Sequence, residues 1–191
     1  MRNTMFIILL VATFAVQAKE SESQLIGKLP SQIMESEKGV YFGYEDKKLG
    51  GSVGYRYDRG KGKIRFTVIL FDAGYEQIKA GLGSSVVSEL SKSAVEDIKW
   101  HEQHGSYKNV QILNNAPVDL LDQHQGMLVQ LKFRYVFQNE SVSDELDSFL
   151  LVTGVQGYIL KIRATGKADN FDTEYMLTFT KKILAALNGD R

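Results

Sequence analysis

Residues 48–72 read KLGGSVGYRYDRGKGKIRFTVILFD, and the period of this stretch decides the fold class. Val53, Tyr55 and Tyr57 alternate with Gly54, Arg56 and Asp58, and Ile64, Phe66, Val68 and Leu70 alternate with Lys63, Arg65, Thr67 and Ile69. Successive side chains of a strand point to opposite faces, so a period of two marks strands with one face on a core and the other toward solvent. Between the two runs, Arg59-Gly60-Lys61-Gly62 supplies the glycine-rich turn that closes an antiparallel hairpin.

Working outward, Val40, Phe42 and Tyr44 alternate with Tyr41 and Gly43 and predict a strand before the hairpin. From about Tyr75 to His104 the period becomes helical. Val87, Leu90, Ala94 and Ile98 step by three or four, with Ser88, Glu89, Lys92, Glu96 and Lys99 opposite them. Gly81 and Gly83 break this stretch ahead of the main helix, Ser84 and Ser85 are candidates to cap it, and Gly105 is placed to end it. Short strands are expected at 110–113 and 118–121, around Asn114, Asn115 and Pro117. A long strand follows, in which Met127, Val129, Leu131, Phe133, Tyr135 and Phe137 alternate with Gln130, Lys132 and Arg134. Strands around 149–152 and 158–164 follow, the latter carrying Tyr158, Leu160, Ile162 and Ala164 against Lys161, Arg163 and Thr165. The chain closes on a helix whose stripe is Phe171, Tyr175, Phe179, Ile183 and Leu187, capped by Asp169 or Asn170 and stopped at Asn188-Gly189. The fold expected is α+β: a mostly antiparallel sheet with a long middle helix and a C-terminal helix packed on it.

The N-terminus reads as an export signal. Arg2 precedes an uncharged run from Met5 to Val16, shorter than the roughly 20 apolar residues of a membrane-spanning helix, and Val16-Gln17-Ala18 is a small-x-small cleavage pattern. The chain then divides into a signal peptide at 1–18, a polar N-terminal arm at 19–37 and a single α+β domain at 38–191. The expected location is periplasmic or secreted. The whole chain has 23 basic and 23 acidic residues; without Arg2, 22 basic residues face 23 acidic ones. So balanced a charge offers no long-range field for a polyanion, which argues against nucleic acid as a partner. With no cysteine there is no cross-link, thiol nucleophile or thiolate metal site.

The quoted hairpin with the helix after it, then GMLVQLKFRYVF (126–137), SFLLVTGVQGYILKIRAT (148–165) and EYMLTFTKKILAAL (174–187), resembles the PsbP-like fold over about 36–188. That fold is the α/β/α sandwich of the extrinsic photosystem subunit family and of several exported bacterial proteins. The resemblance lies in element order and strand spacing and implies a binding or assembly role. It carries over no functional residue.

The candidate chemistry is thin. His101-Glu102-Gln103-His104 places two imidazoles three residues apart on one helical face, with His124 the one further histidine. A metalloprotease helix needs a four-residue spacing, so an exposed helix end is the plainer reading. Gly50-Gly51-Ser52-Val53-Gly54 and Lys79–Gly83 lack the Lys-Ser/Thr ending of a phosphate loop and read as structural bends. Asp144, Glu145 and Asp147 lack the alternating ligands of a calcium loop and read as a solvated turn. Asn139-Glu140-Ser141 matches a glycosylation acceptor, which has meaning in a eukaryotic secretory pathway. The strand aromatics Tyr55, Tyr57, Phe66, Phe133, Tyr135, Phe137 and Tyr158 are expected mostly in the core; any left on an open sheet face would line an apolar groove. No catalytic, cofactor-binding or metal residue is assigned, and no cofactor. The reading is an exported non-enzymatic binding or accessory protein acting on a protein partner or a small apolar ligand. The competing class is a small hydrolase or metal enzyme, with His101, His104 and Glu102 as first suspects; a structural subunit of an envelope assembly is a third.

Overall fold

The computed structural model describes residues 19–59, 62–121, 124–167 and 172–189. The signal peptide read at 1–18, the turn residues Gly60 and Lys61, and Asp169, Asn170 and Phe171 lie outside the described residues. Eight strands form one antiparallel sheet: β1 (Gln32–Ile33), β2 (Ser36–Gly43), β3 (Gly51–Arg59), β4 (Gly62–Phe71), β5 (Tyr107–Leu121), β6 (His124–Tyr135), β7 (Leu146–Val155) and β8 (Tyr158–Gly166). Among the described residues three α-helices accompany them, α1 (Glu22–Lys28), α2 (Ser85–Gln103) and α3 (Thr173–Asn188), with a 3-10 turn at Lys47–Leu49. The spatial order is β1-β2-β3-β4-β8-β7-β6-β5, so the chain builds one meander, crosses by α2, builds a second inward from the far edge and joins the two where β4 pairs with β8. The structure is α+β, as the alternating periods require, with helices on both faces of the sheet.

The hairpin forms in register, Val53 opposite Val68, Tyr55 opposite Phe66 and Tyr57 opposite Ile64. Paired residues of a sheet share a face. One face therefore gathers Tyr55, Phe66, Val68, Leu70, Leu160, Ile162, Phe149 and Leu151, and α1 and α3 bury it. Phe179 of α3 stacks on Phe66 with centroids 3.9 Å apart and meets Tyr55 edge-on at 5.4 Å. The opposite face of β5 to β8 presents Tyr107, Val129, Leu131, Phe133, Leu150, Val152 and Ile159 to Val87, Ala94 and Ile98 of α2.

Several expectations change. The segment read as an arm is part of the core: Leu25, Ile26, Leu29 and Ile33 are all buried. Ser21 opens α1 with a capping box, its hydroxyl accepting from the Gln24 amide while the Gln24 side chain accepts from the Ser21 amide. Three side chains of the sheet then hold this segment by its backbone. Lys38 donates to the carbonyls of Ile26 and Leu29 at 2.8 Å each, Tyr55 to that of Pro30 at 2.7 Å and Tyr158 to that of Glu20 at 2.8 Å. The two short strands expected at 110–113 and 118–121 are one strand, β5, whose alternation is broken by register shifts after Lys108, Ile112 and Asp119. β5 is an edge strand, where Pro117 lacks a needed donor at no cost to a neighbouring ladder. α2 starts at Ser85, leaving 75–83 irregular; Ser84 holds the capping position but makes no side-chain cap bond. α3 is capped by Asp172, whose carboxylate accepts from the Tyr175 amide at 2.8 Å, and it ends on Gly189 in the left-handed region at φ 81°.

Candidate functional site

The two layers of helix are not matched in extent. Among the described residues α2 rests on β5, β6 and β7, no α-helix rests on β2, β3 and β4 on that side, and the 3-10 turn Lys47–Leu49 contacts β4. The edge of α2 and these strands form a cleft of about 320 Å³. Its floor is Ile69 and Phe71 of β4 with Val152 of β7; Leu90, Ser93 and Ala94 of α2 make one wall, and Tyr44 and Leu49 the other. The cleft is mostly apolar, with Tyr44, Ser93, Asp97 and Lys161 as its polar lining residues. Burial pushes the Lys161 amine below the usual lysine range, and the Asp97 carboxylate opposes that shift.

Beyond Lys161 the same open face becomes cationic. Arg65 and Thr67 of β4 pair with Thr165 and Arg163 of β8. With Lys63, Tyr135, Leu146 and Gly166 they line a hollow of about 400 Å³ that holds no carboxylate among its lining residues. Arg163 is half-buried. Its Nε donates to the Ser148 hydroxyl at 3.3 Å, its Nη1 to the Tyr107 hydroxyl at 3.2 Å, and its guanidinium carbon lies 5.6 Å from the Tyr107 ring centroid and 5.5 Å from that of Phe133. Its Nη2 is buried and has no hydrogen-bond partner among the described residues. Burial raises the Tyr135 phenol, with Arg163 pulling the other way, so this hydroxyl remains a neutral donor near the hollow.

The histidines do not converge. His101 tilts against Tyr107 with centroids 5.0 Å apart, whereas His104 stacks on Trp100 at 3.9 Å and its Nδ1 bonds the Trp100 carbonyl at 2.9 Å. Glu102 accepts from the Val110 amide at 2.8 Å, tying α2 to β5. His124 lies on β6 with Nε2 2.9 Å from the Thr153 hydroxyl. Among the described residues no group of three or more His, Cys, Asp or Glu side chains is placed to hold a metal ion.

The glycine clusters meet backbone. A Cβ on Gly50, whose φ is 64°, would lie 2.0 Å from the Leu70 carbonyl oxygen. Gly81 and Gly154 bond each other reciprocally at 2.9 and 3.0 Å, docking the loop before α2 onto β7. Asp144 pairs with Lys167, which holds its carboxyl below the usual range, and Glu145 pairs with Lys132 at 3.3 Å. Asp147 is buried 4.0 Å from Lys132. Asn139 closes a local turn by accepting from the Ser141 amide and hydroxyl.

Of the strand aromatics, Tyr55, Phe66, Phe133 and Tyr158 are core, Tyr57 and Tyr135 are half-buried, and Phe137 is exposed. Only Tyr135 reaches the open face at the hollow; the apolar cleft is built instead by Tyr44, Leu49, Ile69 and Phe71. The sequence reading missed Lys63, Arg65, Lys161 and Arg163, because alternation sends them to a solvent face and does not say that a helix lies along half of it. No helix among the described residues is long and apolar enough to cross a membrane. No protein-family model matches the chain, and no curated protein matches it.

Proposed function

We propose that this is an exported, non-enzymatic binding protein that takes a small apolar ligand in the cleft between α2 and the uncovered strands β2–β4. The observation that carries the reading is the mismatch of layers. An antiparallel sheet can leave a face to water, where polar side chains are then expected, yet here Ile69, Phe71, Tyr44 and Leu49 border an open apolar cleft beside a helix edge. A concave, mostly apolar site with few polar groups is the ordinary form of a small-molecule site, and about 320 Å³ falls at the lower end of the usual size range. Export rests on the uncharged leader and its small-x-small boundary. A binding role also agrees with what the PsbP-like element order implies.

The test is titration of the purified protein with Nile red, an uncharged dye that brightens in apolar surroundings. Saturable one-site binding is expected. Ser93 is an exposed cleft-wall residue on α2, and Ser93→Trp should weaken the dye about tenfold, equivalent to about 1.4 kcal/mol, without lowering Tm. Unsaturable dye uptake, or uptake indifferent to Ser93→Trp and to Leu49→Asp, would overturn the assignment.

A further inference from the structure

The cleft and the cationic hollow are two ends of one surface. On β4 the same-face residues run Lys63, Arg65, Thr67, Ile69, Phe71; on β8 they run Thr165, Arg163, Lys161, with Arg163 opposite Thr67 and Lys161 opposite Ile69. At roughly 3.4 Å per residue, Arg65 and Ile69 are about 14 Å apart along the strand. We infer that the ligand is a linear amphipath with a carboxylate head, its head held by Arg163 and Arg65 and its tail lying in the cleft beyond Lys161. This rests on the cleft being the binding site.

Three observations support a head of this kind. The Arg163 guanidinium is fixed by Ser148, Tyr107 and two ring faces, and one nitrogen remains without a partner. A planar guanidinium fixed in this way at the wall of the hollow is preset to meet a planar carboxylate there. Arg65 stands directly opposite Arg56 on the neighbouring strand, a like-charge pair that costs stability unless an anion lies near it. In register, Glu37 lies opposite Arg56 and Asp58 opposite Lys63, and no carboxylate lies opposite Arg65. Arg65 has Arg56 on one side and Thr165 on the other. At the junction, Asp97 balances Lys161, so the charge excess lies at the head end and the tail end is close to neutral.

The experiment is calorimetric titration of the full protein with dodecanoate and with dodecanol, which differ in the head alone, both below their aggregation limits. Dodecanoate is expected to bind about tenfold or more tighter than dodecanol, as two charge-assisted contacts require. The exposed substitution Arg65→Met should remove part of that preference, and Arg163→Met most of it, while dodecanol and Nile red affinities hold. Arg163→Lys, which keeps the charge and loses the fork, should behave like Arg163→Met. Equal affinity for the two compounds, no dodecanoate binding, or a preference that survives both methionine substitutions would overturn the inference. If Nile red still saturates and still responds to Ser93→Trp, the cleft assignment stands without it.

Discussion

At the scale of single residues, the same side-chain type does opposite work on the two faces of the sheet. Lys38 spends its charge on the last carbonyls of α1, whereas Arg163 retains an unmet donor beside a hollow. His124 makes a residue-level prediction. Thr153 donates its hydroxyl proton to the Gln125 carbonyl at 2.7 Å, so its oxygen accepts from a proton on His124 Nε2. Burial lowers the pKa of His124 below its ordinary 6.5. The unfolded chain therefore binds the proton more readily than the folded one. The stability contributed is fully present above the unfolded value and is lost as pH falls from there through the folded value. Urea unfolding from about pH 7.5 to about pH 5.5 should show a decline that His124→Gln makes shallower. A decline of unchanged slope in the variant would place the proton uptake elsewhere. None of this was legible beforehand, since one histidine in an alternating strand carries no sign of which partner it meets. The histidines at 101 and 104 looked more suggestive because they are close in sequence. Their rings turn to different neighbours, Tyr107 and Trp100.

At the scale of elements, the strands with regular alternation were legible and the segments that break it were not. The hairpin β3–β4, the strand β6 and the stripe of α2 follow from periods of two and of three to four, because each has one buried face. β5 hides because its three register shifts each move the inward position by a residue, splitting one strand into two apparent fragments. α1 hides because it is seven residues long and exposes Ser23, Gln24, Gly27 and Lys28, leaving only Leu25 and Ile26 as an apolar signal. Its position in the core gives the element-scale prediction. A chain beginning at residue 38 loses Leu25, Ile26, Leu29 and Ile33 from the face that α3 also covers, at about 2 kcal/mol for each side chain. Against a typical total of about 5–15 kcal/mol, that loss should leave a state with secondary structure but no cooperative thermal transition. Circular dichroism melting reads it directly. A sharp transition within a few degrees of the parent would show that the segment is the dispensable arm its composition suggests.

At the scale of the whole molecule, the α+β class and the helix-sheet-helix layering follow from the order of periods, whereas the site follows from a quantity no single sequence displays, the extent of one layer over another. α2 has 19 residues and one stripe, enough for one end of an eight-stranded sheet. The strands it leaves uncovered end in an apolar cleft at one side and in Arg65 and Arg163 at the other. In the sequence, the alternation of Ile64, Phe66 and Val68 with Arg65 and Thr67 reads as core against water, and half of that reading is right. The other half depends on β8 joining β4, which brings Arg163 beside Thr67 from nearly a hundred residues away.

Under the proposed function, this uncovered half-face is where the molecule binds. Amide chemical-shift mapping of the isotope-labelled protein during titration with dodecanoate tests it most directly. Saturating shifts are expected along Lys63–Phe71 of β4, Lys161–Thr165 of β8 and the flank of α2 from Leu90 to Asp97, with the face under α3 unmoved. Shifts centred on α1 and α3, or scattered shifts that never saturate, would contradict it.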